Sequence, residues 1–227
     1  MCGRFSFATS PKKIKETLGA DIQFEAALLS SYNIAPTQYS YVVTNEQPNL
    51  LQAFKWGLIP YWAKDAKNAA KLINARMEGI EDKVSFKTPI RERRCLVLVD
   101  SFYEWKRVGK QKDAYRILMK DESLMVMAGV WDIWNNGGEL VKTFSIITAP
   151  PNNEMSSIHT RMPVILSTKE ARHKWLKNRP LAAILKSLKT PEDDILQVYR
   201  VSNKVNSVAN NSPDLHQEIP ETLTLFD

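Results

Sequence analysis

With 227 residues, 44% of them hydrophobic and 25% charged, the chain can bury one sizeable core, which excludes a disordered or fibrous polypeptide. It has no apolar run of the roughly 20 residues needed to span a bilayer and no signal-peptide pattern, and its two cysteines, Cys2 and Cys95, do not amount to a disulfide framework. A reducing setting is therefore expected, in the cytoplasm or on the nucleoid. The net charge of +6 suits a polyanionic partner, and the body is more basic than the average because no Lys or Arg follows Lys204.

In chain order, Ser10-Pro11 followed by Ile14, Leu18 and Gly19 predicts a short helix with a serine cap, an early proline and a terminal glycine. Tyr39–Thr44 and Leu50–Trp56 predict a hairpin across an Asn/Glu/Gln/Pro turn. Further strands are predicted over 96–99, 102–106, 114–119, 124–130 and 144–148, with turns at Gly109 and at Asn135-Asn136-Gly137-Gly138. Ser167 with Glu170 three residues on reads as a capping box opening a helix to Leu176, and a second helix is expected over 182–188. Strands fill the middle and helices sit at the ends, so the fold class is α+β. One domain is expected, its core over 2–203, with a polar, acidic tail over 204–227 and a monomer as the default.

Cys2 is the oddest feature. Once Met1 is removed, the chain begins with a thiol and an α-amine on adjacent carbons. The amine, with a reference pKa of about 7.7–8.0, is partly neutral at pH 7. Such an amine condenses with an aldehyde to an imine, and the thiol can close on the imine carbon to give a thiazolidine. An internal cysteine has its nitrogen locked in an amide. Two other readings stand beside this one: an incidental small residue, or the thiol of an N-terminal-nucleophile hydrolase.

The stretches Cys2-Gly-Arg-Phe5, Tyr32-Asn-Ile-Ala-Pro36, Trp56-Gly-Leu-Ile-Pro60 and Ile73-Asn-Ala-Arg76 are followed by Arg94-Cys-Leu, Asp100-Ser-Phe-Tyr-Glu-Trp105, Ala128-Gly-Val-Trp131 and Ile158-His-Thr-Arg-Met-Pro163. In this set and order the chain, from Cys2 to about Val201, resembles the SOS-response-associated peptidase (SRAP) family of abasic-site-processing proteins. Ser101 stands where a glycine is usual, and Thr160 where Asp or Asn is common.

The resemblance implies a single α+β domain around a β-barrel-like core of mixed and antiparallel sheet with peripheral helices, and a groove for single-stranded DNA containing abasic sites. It implies that Cys2 is the nucleophile and the point of covalent linkage, and that the crosslink shields the lesion and is open to reversal by the same groups. Asn74 would hold the ring-opened sugar or the amine, though an Asn before a helix is also a routine cap. Glu104 would shuttle protons; the strand pattern leaves it either on a solvent face or partly buried with a raised pKa. His159, on a loop after a short helix, would protonate the sugar ring oxygen, with a structural histidine as the alternative. His173 and His216 are expected at the surface. Arg4, Arg76 and Arg161 each lie within two residues of one of these positions and suit phosphate, although each alone reads as a surface arginine. Pro36 and Trp62 would form an apolar wedge on which bases stack, while Trp56, Trp105, Trp131 and Trp134 are expected in the core.

No metal-ligand spacing, P-loop or dinucleotide motif is present, so neither metal nor cofactor is expected. Cys95 reads as a buried, inert thiol. A thiol peptidase acting through Cys2 and a non-catalytic single-strand-binding module are the competing functions.

Overall fold

Residues 125–131, Met-Val-Met-Ala-Gly-Val-Trp, are apolar and buried at every position, as in a strand enclosed on both faces. They belong to a computed structural model that describes residues 2–109 and 111–220. The chain begins with β1 (Phe5–Phe7), α1 (Pro11–Leu18), β2 (Gln23–Phe24), β3 (Ser31–Ile34), β4 (Tyr39–Thr44) and β5 (Leu50–Trp56). The middle holds β6 (Asn74–Arg76), α2 (Pro89–Glu92), β7 (Arg94–Val99), β8 (Ser101–Val108), β9 (Gln111–Met119), β10 (Met125–Asn136) and β11 (Glu139–Ala149). It ends with α3 (Asn153–Ser156), β12 (Met162–Pro163), α4 (Lys169–Leu176), α5 (Leu181–Leu185) and β13 (Leu196–Val201).

The pairings β4–β5, β11–β10, β10–β7 and β7–β4 are antiparallel, and a parallel β5–β11 contact closes them into a five-strand barrel. Closure leaves no free edge among these strands. A second sheet, in the order β13-β9-β8-β1-β3, leans on the barrel through β1. Phe5 stacks on Trp56 and Phe7 on Tyr41, each with ring centroids 4.6 Å apart. Gly129 is required inside the barrel: an added Cβ would stand 2.8 Å from both Cys95 Sγ and Val97 Cγ2.

The hairpin over β4 and β5 forms as expected, and the other predicted strands form but run longer. β10 and β11 extend to the Gly137-Gly138 turn, where both glycines take positive φ (63° and 108°), as a two-residue hairpin loop requires. α1 keeps its cap, with Ser10 Oγ accepting from Lys13 N. Six expectations are corrected. The cap of α4 is Thr168, whose hydroxyl accepts from Ala171 N, so Glu170 is free to pair with Lys174 one turn on. The second helix is shorter and starts earlier, at Leu181, directly after Pro180. Asn74 caps no helix; it opens β6, which runs parallel to β11. The region after residue 203 is part of the packed domain as far as Pro220: Val205 and Leu215 are buried with Tyr103, Ala114 and Val201. His216 within it is half-buried, edge-on to Tyr32 at 5.0 Å, and Trp105 is only half-buried, its indole N–H donating to Asn206 Oδ1. Residues 221–227 of the expected tail lie outside the described residues. Among the described residues no helix is long and apolar enough to cross a membrane.

Candidate active site

The geometry begins with β1. It pairs antiparallel with β8, Phe5 opposite Phe102 and Ser6 opposite Ser101, and Tyr103 N donates to Arg4 O at 2.9 Å. Cys2, three residues ahead of β1, lies close enough to Glu104 of β8 for the carboxylate charge to act on its thiol. Both are buried, Glu104 at 3% exposure, so Glu104 does not lie on a solvent face. Burial first, and the nearby Glu104 charge second, push the Cys2 thiol far above its ordinary pKa. At neutral pH the sulfur is therefore a protonated thiol.

Asn74 ties down the same residue from the barrel side. Its Nδ2 donates to the Cys2 carbonyl at 2.7 Å, while its Oδ1 is buried with no hydrogen-bond partner. The strand beneath is fixed by neighbours: Ile146 N and Trp56 Nε1 both donate to Ile73 O, at 3.0 Å each. Arg76 lies two residues along β6 from Asn74, hence on the same side of the strand, and is exposed. Ala75 between them turns into the core.

β11 carries the other half. β6 pairs with it over Ile146, Ile147 and Thr148, and β12 pairs with it over Thr148 and Ala149. His159 stands just ahead of β12, after α3, whose cap Asn152 accepts from Met155 N. The His159 Nδ1 lies 3.0 Å from Arg161 N, which donates to it, and 3.3 Å from Arg161 O. Thus Cys2 and Asn74 are joined by a hydrogen bond and Glu104 by proximity of charge, while His159 is tied to Asn74 through β11.

The arginines differ in surroundings. Arg4 Nη1 donates to Asn33 Oδ1 at 2.7 Å and Val205 O at 2.8 Å. Arg161 donates in bidentate fashion to Glu78, at 2.6 and 2.8 Å, and to Thr148 O. Arg161 and, to a lesser degree, Arg76 hold the Glu78 carboxyl below its usual range. Glu78 was not singled out from sequence; a carboxylate two residues after Arg76 was the only signal. Asn33 was also missed, although it lies inside one of the motif stretches. Its side chain gathers Arg4 and the carbonyls of Val205, Ser207 and Asn210.

Pro36 is half-buried and Trp62 is 51% exposed. The loop carrying Trp62 has a fixed backbone: Ile59 N donates to Thr143 Oγ1, Tyr61 N to Asp132 Oδ2 and Trp134 Nε1 to Ala63 O. Gly57 lets it approach, since a Cβ there would lie 2.6 Å from Ala69 O. Trp62 also borders a 290 Å³ pocket with Leu58, Pro60, Ala69 and Leu72. Among the described residues no group of three or more His, Cys, Asp or Glu side chains is arranged to hold a metal.

Residues 1–208 match the family described as SOS response associated peptidase (SRAP). The chain is 44% identical over 222 residues to the abasic site processing protein YoqW of Bacillus subtilis (strain 168), spanning 95% of this chain and 98% of that protein. It is 35% identical over 191 residues to the abasic site processing protein HMCES of Gallus gallus, spanning 73% of this chain and 56% of the other. A crystal structure of a protein from Bacteroides thetaiotaomicron superposes with a TM-score of 0.85 at 30% identity, covering 96% of this chain and all of that one.

Proposed function

We propose, from the premise that the chain belongs to the SOS response associated peptidase (SRAP) family, that it senses abasic sites in single-stranded DNA and captures them covalently through Cys2. The reading draws on its relatives, which are named abasic site processing proteins. The observation that carries it is the seat of Cys2: carbonyl held by Asn74, thiol buried beside Glu104.

Loss of Met1 frees the Cys2 α-amine. His159 gives a proton to the ring oxygen of the abasic sugar as the C1′–O bond breaks, and the proton lost by the C1′ hydroxyl returns through water to His159, leaving the aldehyde. The amine lone pair forms a C–N bond to C1′, and the carbinolamine expels one water to give the imine. Sγ then adds to the imine carbon, and the thiol proton ends on nitrogen. The net change is one C–N bond, one C–S bond and one released water. Because the thiol is neutral in its buried seat, the last step needs a base, and in this reading Glu104 takes and returns the proton. Run backwards, the same groups release the DNA.

The remaining residues hold the strand. Arg76 contacts a phosphate beside the lesion, with Arg161 on its other side and Arg4 reaching the backbone through the terminal nitrogen not engaged by Asn33. Trp62 and Pro36 form the wedge against which a base stacks. A thiol peptidase would depend on a thiolate, which burial disfavours at Cys2.

Intact mass of the protein after incubation with an abasic oligonucleotide tests the reading. The adduct should equal protein without Met1 plus DNA minus one water, and Cys2→Ala should give none. An adduct on protein that retains its initiator methionine sinks the mechanism.

A further inference from the structure

Glu78 sits on Arg161 in the manner of a phosphate. Its two oxygens meet the two terminal nitrogens at 2.6 and 2.8 Å, the forked arrangement by which guanidinium takes either carboxylate or phosphate. The two partners differ in how firmly they are held. Arg161 is 13% exposed, with Nη2 also donating to Thr148 O at 2.6 Å and its backbone N–H engaged by His159. Glu78 is 48% exposed, and its backbone is followed at once by Gly79 in the left-handed region (φ 63°), with open space around it. The carboxylate is the member of the pair that can leave. Arg76, two residues before it and exposed, brings a second positive charge to the same place.

We infer that Glu78 is an internal stand-in for a DNA phosphate: it occupies Arg161 in the free protein and is displaced by the backbone when single-stranded DNA binds. The inference rests on the phosphate-binding reading of Arg161 and Arg76. Until it is displaced, Glu78 keeps Arg161 extended beneath its site and masks it from weakly held anions. Only a polyanion that gains several contacts at once can compete. The exchange takes place next to His159, whose Nδ1 is bound by the Arg161 backbone, so a phosphate arriving there also marks where the lesion must lie.

Fluorescence anisotropy with an undamaged, labelled single-stranded oligonucleotide, over a series of KCl concentrations, tests this without any covalent step. Glu78→Gln should bind about two- to fivefold more tightly than wild type, the worth of a half-exposed ion pair. Its salt slope should stay close to that of wild type, because Arg161 meets the same phosphate in both bound states. In an Arg161→Ala background the same substitution should change neither. Glu78→Ala should behave as Glu78→Gln, and thermal melting confirms that both variants are folded. Equal or weaker binding by Glu78→Gln, or the same gain in the Arg161→Ala background, overturns the stand-in role while leaving the crosslinking reading in place. A wild-type protein that does not bind the oligonucleotide overturns the DNA reading and this inference together.

Discussion

The side-chain amide of Asn74 donates to the backbone carbonyl of Cys2 at 2.7 Å, so a strand on the barrel fixes the residue that carries the reactive groups. That bond orients the aminothiol before any ligand arrives, which is where intramolecular ring closure gains its advantage. Asn74→Ala should slow crosslinking about fivefold, in line with the loss of one hydrogen bond. Asn74→Asp, which sets an acceptor against the carbonyl, should slow it more. Single-turnover crosslinking on denaturing gels measures both, and anisotropy should show nearly unchanged DNA affinity. A rate unaffected by either substitution removes Asn74 from the chemistry.

Adding one glycine ahead of Cys2 converts its amine into an amide. The extended protein should form no thiazolidine yet bind undamaged single-stranded DNA within about twofold of wild type, because the arginines that hold phosphate are untouched. Cys2→Ala should behave alike in binding. Equal crosslinking by extended and native proteins would mean that another nucleophile acts.

The strands with the strongest apolar runs, β4, β5, β7 and β10, were legible because continuous Val, Leu and aromatic residues leave little alternative to a buried strand. β6 was not. Three residues, Asn-Ala-Arg, carry no periodicity, and their strand state comes from the parallel partner β11, distant in sequence. Glu104 shows the same limit at the level of the site. Period-two alternation put it on one face with Phe102, but both faces of β8 are covered there, so the pattern could not reveal burial. The segment after residue 203 looked like a tail because it is polar. Its anchorage comes from Val205 and Leu215 and from the Asn33 amide collecting its carbonyls, a long-range contact no local pattern encodes.

That anchorage is sensitive to acid. Burial, and secondarily the Arg116 charge, lower the pKa of His216 from 6.5 to about 3. The unfolded chain therefore binds a proton that the folded chain refuses between about 6.5 and about 3. This contribution to stability is fully present above pH 6.5 and is lost progressively as pH falls through that window. Half-buried Asp100, whose carboxyl is raised by desolvation, works in the opposite direction. The contribution of His216 is isolated by comparison with His216→Gln. Between pH 7 and pH 4.5 the wild-type Tm should fall further than that of the variant. Parallel Tm profiles would show that His216 is equally protonated in both states.

Gly129 tests the barrel itself. It pairs with Cys95 on one side and Ile146 on the other, and a methyl group there would meet Cys95 Sγ and Val97 Cγ2 at 2.8 Å and Ser145 O at 3.1 Å. Gly129→Ala should cost about 1–3 kcal/mol through overpacking, read as a lower midpoint in urea with an unchanged m-value. Pairing it with Cys95→Ala, which removes one of the two clashing side-chain atoms, should recover part of the loss. A substitution without effect would show that the strands can spread at this point.

Trp62 offers the sharpest separation of binding from stability. The backbone on either side of it is pinned by Asp132, Thr143 and Trp134, while its own ring is half exposed. An indole held out on a fixed loop loses little entropy on stacking with a base. Trp62→Ala should therefore weaken single-strand binding by about 1–3 kcal/mol, the usual worth of one base–aromatic stack, with Tm almost unchanged. Trp62→Phe should retain most of the affinity. Asp132→Ala acts by another route: it removes the acceptor for Tyr61 N and leaves the Arg93 guanidinium without its buried partner, so Tm and affinity should fall together. If Trp62→Ala instead lowers Tm and leaves the dissociation constant where it was, the ring is packing against its own pocket rather than waiting for a base.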